Sequence, residues 1–265
     1  MLTFPLHRVS QRLWRAVPTL GNQLLPTRCL LCTTPLGGEL LCPDCVHHLP
    51  YLDTHHCVQC ALPLDSAAER CGQCLQQPPG FEHAVVPFRY AFPLDALIHN
   101  FKHKHQLAAG RALGQCLAAH IEHHYDEHPE LTWPELIVPV PLHWSRRLAR
   151  GYNQSDLLAR QLQRALDIPV ATRVCRRVRR TSTQQGLSRR QRLHNLHSAF
   201  RINPSTLAAV KGKCVALLDD VITTGSTARV VSQVLLGAGA AEVHLWALAR
   251  TPEPDRRDPA QHPEA

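Results

Sequence analysis

Aromatic residues are scarce in this chain. Phe, Tyr and Trp make up 5% of its 265 residues, so aliphatic side chains must fill most of any core; at 44% hydrophobic overall there are enough of them. No stretch is long and apolar enough to span a bilayer, which needs about 20 apolar residues. The opening "MLTFPLHRVSQRLWRAVPTLGNQLLP" has no continuous apolar run of the signal-peptide kind. Leu6, Val9, Leu13, Val17 and Leu20 recur there at roughly helical spacing and predict a short amphipathic helix instead. A cytoplasmic location is the expectation. Acidic residues are the minority charge, 21 against 29 Lys and Arg, leaving a formal net charge of +8. That balance favours polyanionic partners, either phosphorylated metabolites or nucleic acid. Two common phosphate motifs are missing as well. There is no G-x-x-x-x-G-K-[ST] loop. "GAGAAE" has Glu242 where a dinucleotide fingerprint needs its third glycine, and it closes a helix rather than opening one.

Cysteine, by contrast, is plentiful and unevenly placed. Eight of the 11 form four CxxC pairs before residue 75: Cys29/Cys32, Cys42/Cys45, Cys57/Cys60 and Cys71/Cys74. In a reducing compartment such pairs read as metal ligands rather than disulfides. Two pairs complete a tetrahedral all-sulfur site, for which zinc is the default ion. Chain order would group Cys29, Cys32, Cys42 and Cys45 in one site and Cys57, Cys60, Cys71 and Cys74 in the other; a crossed arrangement stays open. Four thiolates leave no position for chemistry, so one or two structural zinc ions are expected. His47, His48, His55 and His56 could replace a ligand, but the cysteines suffice without them. His120, His123 and His124 could share a helix face and bind a metal; a solvated polar face is the simpler reading. Lys102 and Lys104 in "FKHKH" suit a phosphate, or are ordinary charged surface.

Composition divides the chain into an amphipathic lead (1–28), a cysteine-rich double zinc-ribbon-like module (29–76), the linker "LQQPPGFEH", an alternating strand and helix region (84–250) and a proline-rich polar tail (251–265) expected to be disordered. "LDALIHNFKHKHQLAAGRALGQCLAAHIEHHY" predicts helix, broken or bent near Gly110. "NQSDLLARQLQRAL" predicts a helix capped by Asn153 or Ser155. "ELIVPVPL", "KCVALLDD" and "EVHLWALA" are apolar runs of strand length. Strands of that kind alternating with helices predict an α/β domain with a mostly parallel sheet.

The string "VALLDDVITTGSTA" carries the chemistry. A buried strand ends in Asp219 and Asp220, and ligands collect at the carboxyl ends of such strands. The turn that follows offers successive backbone N–H groups, a glycine able to take positive φ, several hydroxyls, and then a helix N-terminus. That is a cradle for one phosphate group. Carboxylates for a diol beside a phosphate cradle describe a ribose 5-phosphate. The string is similar to the signature of type I phosphoribosyltransferases that binds 5-phosphoribosyl pyrophosphate (PRPP). The resemblance implies that Asp219 and Asp220 hold the ribose hydroxyls, while Thr223, Thr224, Gly225, Ser226 and Thr227 hold the 5-phosphate.

With "VPVPLHWSRRLARGYNQSDLLARQL", "RRTSTQQGLSRRQRLHNLHSAF" and the preceding CxxC pairs, nearly the whole chain resembles the ComF/GntX family, which is linked to competence and to use of external DNA. The resemblance implies a pyrophosphate loop with Arg146, Arg147, Arg150 and Gly151, and a loop closing over the site with Gln184, Arg192 and Asn195. Asp219, Asp220 and Arg192 become the candidate catalytic residues, and Mg²⁺ is expected to arrive with PRPP. Transfer from PRPP builds negative charge on the leaving pyrophosphate, which cations there stabilise. The phosphoribosyl acceptor is unassigned; residues 84–110 and parts of the ribbon could form its pocket. A PRPP or nucleotide sensor without turnover is one alternative. Another is a single-stranded-DNA-binding protein working with the uptake machinery, because the region from Arg176 to Arg192 has more arginines than one pyrophosphate needs. Arg177, Arg179 and Arg180 would then meet DNA phosphates. Trp144 and Tyr152 are the nearest aromatics for base stacking.

Overall fold

The computed structural model describes residues 27–142, 148, 151–178 and 199–252. The amphipathic helix expected in the lead and the tail beyond residue 252 lie outside the described residues. Among those described, no helix is long and apolar enough to cross a membrane.

The chain begins with two knuckles of the same construction. Strand β1 (Thr27–Arg28) pairs antiparallel with β2 (Pro35–Leu36). Helix α1 (Pro43–His47) follows, and α2 (Gly72–Gln76) is its counterpart in the second knuckle. Cys29 N–H donates to Thr34 O and Cys57 N–H to Leu62 O; Thr33 N–H returns to Cys29 O and Ala61 N–H to Cys57 O. Thr33 and Ala61, each just after a CxxC, both take positive φ, 64° and 56°. A thiol caps each short helix: Cys42 Sγ accepts from Cys45 N–H and Cys71 Sγ from Cys74 N–H. The matching bonds make 29–48 and 57–77 two copies of one motif.

The rest is a five-stranded sheet between two layers. Strands β3 (Ala84–Val85) and β4 (Phe88–Arg89) lie one after the other along its edge. Helices α3 (Leu94–His103) and α4 (Leu107–Glu127) lead to β5 (Leu136–Pro139) and α5 (Gln154–Leu166). A separate hairpin of β6 (Cys175–Arg177) and β7 (Phe200–Ile202) flanks residues 179–198. After α6 (Leu207–Val210) come β8 (Cys214–Ile222), α7 (Ser226–Gly237) and β9 (Glu242–Arg250). β8 sits between β5 and β9, β9 carries β3 and β4, and every pairing in this sheet is parallel.

The period-two alternation of each strand sorts its residues between the faces. Leu136, Val138, Val215, Leu217, Val243 and Leu245 pack on one side with Val230 and Leu235 of α7. Ile137, Ala216, Leu218, Trp246 and Leu248 pack on the other with α3, α4 and α5. Burial on both faces explains why these strands read as unbroken apolar runs. Leu217 and Leu245 are fully buried, each worth about 2 kcal/mol in transfer from water.

Both cores run on into the knuckles. Cys57, Cys60, Leu62, Cys71 and Cys74 belong to the first cluster, and Cys29, Leu41, Cys42 and Leu49 to the second. The two cysteine sets therefore lie on opposite faces of the sheet. The break expected near Gly110 falls instead at residues 104–106, where His105 has φ 54°. Gly110 lies inside α4, and the Phe101 ring leaves no room there for a side chain: a Cβ would come within 2.4 Å of that ring.

Candidate ribose-phosphate site

The apolar run of β8 stays buried through Leu218, and its side chains then become partly exposed at Asp219 and Asp220. Asp219 Oδ1 accepts from Asp220 N–H at 2.9 Å, and Asp220 Oδ1 from Val221 N–H at 2.6 Å. Burial, then the Asp220 charge, pushes the Asp219 carboxyl up to about 7. Lys102, near the end of α3, places Nζ 3.0 Å from Asp220 Oδ1. Sequence reasoning left Lys102 between phosphate ligand and plain surface. It is half-buried beside the acidic pair, because the turn after His103 ends α3 at this edge.

The loop after β8 has the geometry its residues imply. Gly225 caps α7 with φ 70°, a conformation glycine adopts at no steric cost. A Cβ there would find ordinary space, 3.9 Å from Ile222 Cγ2, so only the backbone angle demands glycine. Thr223 and Thr224 are exposed, and Thr224 Oγ1 lies 2.8 Å from Ser226 Oγ. No acidic residue stands in the first turn of α7, so nothing there opposes its dipole, and the Ser226 N–H donates to Thr224 Oγ1 at 3.4 Å.

β5 ends beside this pair: Val140 N–H donates to Leu218 O at 2.8 Å. The stretch toward the expected pyrophosphate loop thus leaves from the same edge. Of that loop Gly151 is described, with φ 73°. Arg146, Arg147 and Arg150 lie outside the described residues, as do Trp144, Arg179, Arg180, Gln184, Arg192 and Asn195. Asn153 caps α5, accepting from Ser155 N–H at 3.3 Å and donating to Val140 O at 3.1 Å. The Tyr152 hydroxyl donates to Phe101 O, and its ring packs 5.6 Å from His105, which ties this loop's end to the corner bearing Lys102. That packing engages Tyr152 inside the fold. Arg177 stands over the Phe200 ring at 5.4 Å.

The eight paired cysteines gather into two sets in chain order, each with sulfur atoms within 4.8 Å of one another. A tetrahedron with Zn–S bonds of about 2.3 Å has edges of about 3.8 Å. Cys32 and Cys42 Sγ are 3.6 Å apart, Cys60 and Cys71 Sγ 3.7 Å. Protons alone cannot satisfy four such sulfurs. Bonds from the Cys60 and Cys74 thiols pull Cys57 well below the ordinary thiol range, and the same bond to Cys57 pushes Cys60 up to about 12. A divalent ion removes that conflict by letting all four ionise. Both sets fit a structural zinc ion, and elemental analysis should find two zinc ions per chain; a value near one would remove one set.

The histidines of α4 depart from the solvated face expected of them. His120, His123 and His124 are half-buried, and burial lowers His120 to about 3 and His124 to about 4. They join no group of three or more possible metal ligands among the described residues. Such a group does form at the opposite edge of the sheet from Cys214, Glu242 and His244. There His244 Nε2 meets Glu242 Oε1 at 2.6 Å and Nδ1 meets the Tyr125 hydroxyl at 2.5 Å, so both ring nitrogens are engaged in a closed buried network.

A family model described as a double zinc ribbon domain matches residues 20–75, and one described as a phosphoribosyl transferase domain matches residues 149–263. The chain is 40% identical to competence protein F of Haemophilus influenzae over 84% of its length and 96% of that protein. It is 39% identical to the DNA utilization protein YhgH of Escherichia coli K12, over 86% of this chain and 98% of the other. Among solved structures, a glutamine PRPP amidotransferase from B. subtilis aligns at TM-score 0.34 and 23% identity, covering 52% of this chain and 25% of that one.

Proposed function

Because the chain belongs to the ComF family, with competence protein F and DNA utilization protein YhgH, we propose that it holds PRPP or a related ribose 5-phosphate at the carboxyl end of β8 and serves in competence or use of external DNA. One observation carries the ligand reading: a partly exposed acidic pair near the end of β8 is followed, two strand residues later, by exposed threonine hydroxyls and a positive-φ glycine at a helix start.

In this reading Asp219 and Asp220 accept hydrogen bonds from the vicinal ribose hydroxyls. Thr223, Thr224, Ser226, Thr227 and the first N–H groups of α7 take the 5-phosphate, with Gly225 letting the backbone approach it. Lys102 leaves Asp220 for the pyrophosphate, freeing that carboxylate for a hydroxyl. Arg146, Arg147, Arg150 and Gly151 would line the pyrophosphate, and Gln184, Arg192 and Asn195 would close over it. The carboxylates offer the oxygen donors Mg²⁺ takes, and the ion supplies positive charge on the pyrophosphate when bound. On transfer, the bond from the anomeric carbon to the pyrophosphate oxygen breaks and its electron pair leaves with pyrophosphate. Lys102 and the arginines stabilise that growing charge more than the ground state. A lone pair on the acceptor oxygen or nitrogen then forms the new bond to the anomeric carbon, and the acceptor's proton leaves to solvent. A zinc-dependent ribbon that only handles single-stranded DNA is the second reading; the names of the relatives and the excess positive charge favour it.

Calorimetric titration of the zinc-loaded protein with PRPP and Mg²⁺ separates the two. Saturable binding supports the ribose-phosphate site. No binding would leave the loop as scaffold and put the DNA reading first. Lys102→Ala should weaken PRPP about tenfold or more, the loss of one charged hydrogen bond, while changing ribose 5-phosphate affinity little. Equal losses for both ligands would remove Lys102 from the pyrophosphate.

A further inference from the structure

Two buried arginines join the second cysteine set to the phosphate loop. Arg250, 4% exposed at the end of β9, donates from Nε to Cys60 O at 3.2 Å. Its Nη1 donates to Ile222 O at 3.2 Å, to Thr223 O, and to Thr251 O at 2.9 Å. Arg229, 8% exposed in the first turns of α7, donates from Nη2 to Cys74 Sγ at 3.4 Å and from Nη1 to Gln77 O. Its own N–H bonds Gly225 O at 2.9 Å. One arginine therefore grips the loop from the knuckle carbonyl side, and the other grips the helix start from the thiol side.

A buried guanidinium is costly unless its donors are met and a counter-charge is near. Four thiolates around one divalent ion keep a net negative charge, and Arg229 lies against one of those sulfurs. The first set packs on the opposite face of the sheet, away from these arginines.

We propose that the second set, Cys57, Cys60, Cys71 and Cys74, when it holds its metal, fixes the phosphate loop through Arg229 and Arg250, so that loop order follows zinc occupancy of this set and not of the first. The consequence for ligand affinity rests on the ribose-phosphate reading; the structural coupling does not. Coupling between sites is reciprocal and is commonly worth about 5- to 150-fold.

The test is backbone hydrogen exchange in the full-length zinc-loaded chain, with residues 222–229 compared against 214–218 of the same strand. Arg229→Met removes the charge while keeping bulk. It should speed exchange in 222–229 about fivefold or more beyond any change in 214–218. It should also speed loss of one of the two zinc ions to a colorimetric chelator by a similar factor. Cys57→Ser should open 222–229 in the same way, and Cys32→Ser should open 222–229 no more than it opens 214–218. Where Cys57→Ser fails to fold, Arg229→Met decides. Unchanged exchange or unchanged zinc release in Arg229→Met overturns the proposal, and so does equal opening by the two cysteine variants. A separate titration of wild type with ribose 5-phosphate keeps the premises apart: no binding, with the exchange difference intact, removes the ligand reading and leaves the coupling standing.

Discussion

The Asp219→Asn/Asp220→Asn variant should bind PRPP at least about 100-fold more weakly than wild type at pH 8. Hydrogen bonds to charged groups are worth about 1.5–3 kcal/mol each, so losing two removes about 3–6 kcal/mol, and each 1.4 kcal/mol is tenfold. The fold should survive. Both side chains are partly exposed, and an asparagine Oδ1 can still accept from the Asp220 or Val221 N–H. Asp219 adds a pH signature. Its carboxyl, pushed up to about 7 by burial and then by Asp220, holds a proton at pH 6 and sheds it by pH 8. Only the ionised form offers the hydroxyls a full acceptor, so affinity should rise as pH increases through about 7. The double variant supplies the baseline for any titration of the ligand's own phosphates. Calorimetry at three pH values checks both claims. A loss under threefold, or the same pH profile in both proteins, would sink the assignment of the pair to the ribose.

Complete removal of zinc should unfold the parallel sheet together with the knuckles, in one transition. The second cysteine set shares a continuous core with Val215, Leu217, Val230 and Leu245, and the first set shares the opposite core with Ile137, Leu218 and Trp246. Structural zinc contributes about 10–16 kcal/mol of apparent binding free energy in small domains, against total stabilities of about 5–15 kcal/mol. A chelated chain should therefore lose its near-ultraviolet circular dichroism and the amide protection of β8. A chelated protein that keeps β8 protected while residues 29–76 exchange freely would show two independent folding units instead.

Several elements could be read from residues alone because local chemistry decides them. The apolar run before Asp219 is the first part of β8, which continues through the acidic pair to Ile222 rather than ending there; Asn153 caps α5, and the glycine between Thr224 and Ser226 takes positive φ. The grouping of the cysteines could not be read, because spacing alone leaves a crossed arrangement open. Thr33 and Ala61 gave no sign of their left-handed backbone, which knuckle hydrogen bonds impose on residues that ordinarily avoid it. The Lys102–Asp220 ion pair joins residues 118 apart in sequence, and the close approach of the Phe101 ring to Gly110 keeps a glycine inside α4 where residue type alone suggests a break. Arg229 and Arg250 carry no local signal of their role, because their partners on the second knuckle lie more than a hundred residues away along the chain.

The placement of the two cysteine sets on opposite faces also orders events during synthesis. The knuckles are made before β8, α7 and β9, which supply much of the core that the second knuckle shares, whereas the first packs mainly with α3, α4 and α5. A nascent chain that has captured its metals still carries the second knuckle's unpaired apolar face until residues 214–250 emerge. Long-range closure of this kind is slow and leaves such surface open to aggregation. Early metal capture would hold the two halves of that knuckle's apolar face together until residues 214–250 arrive.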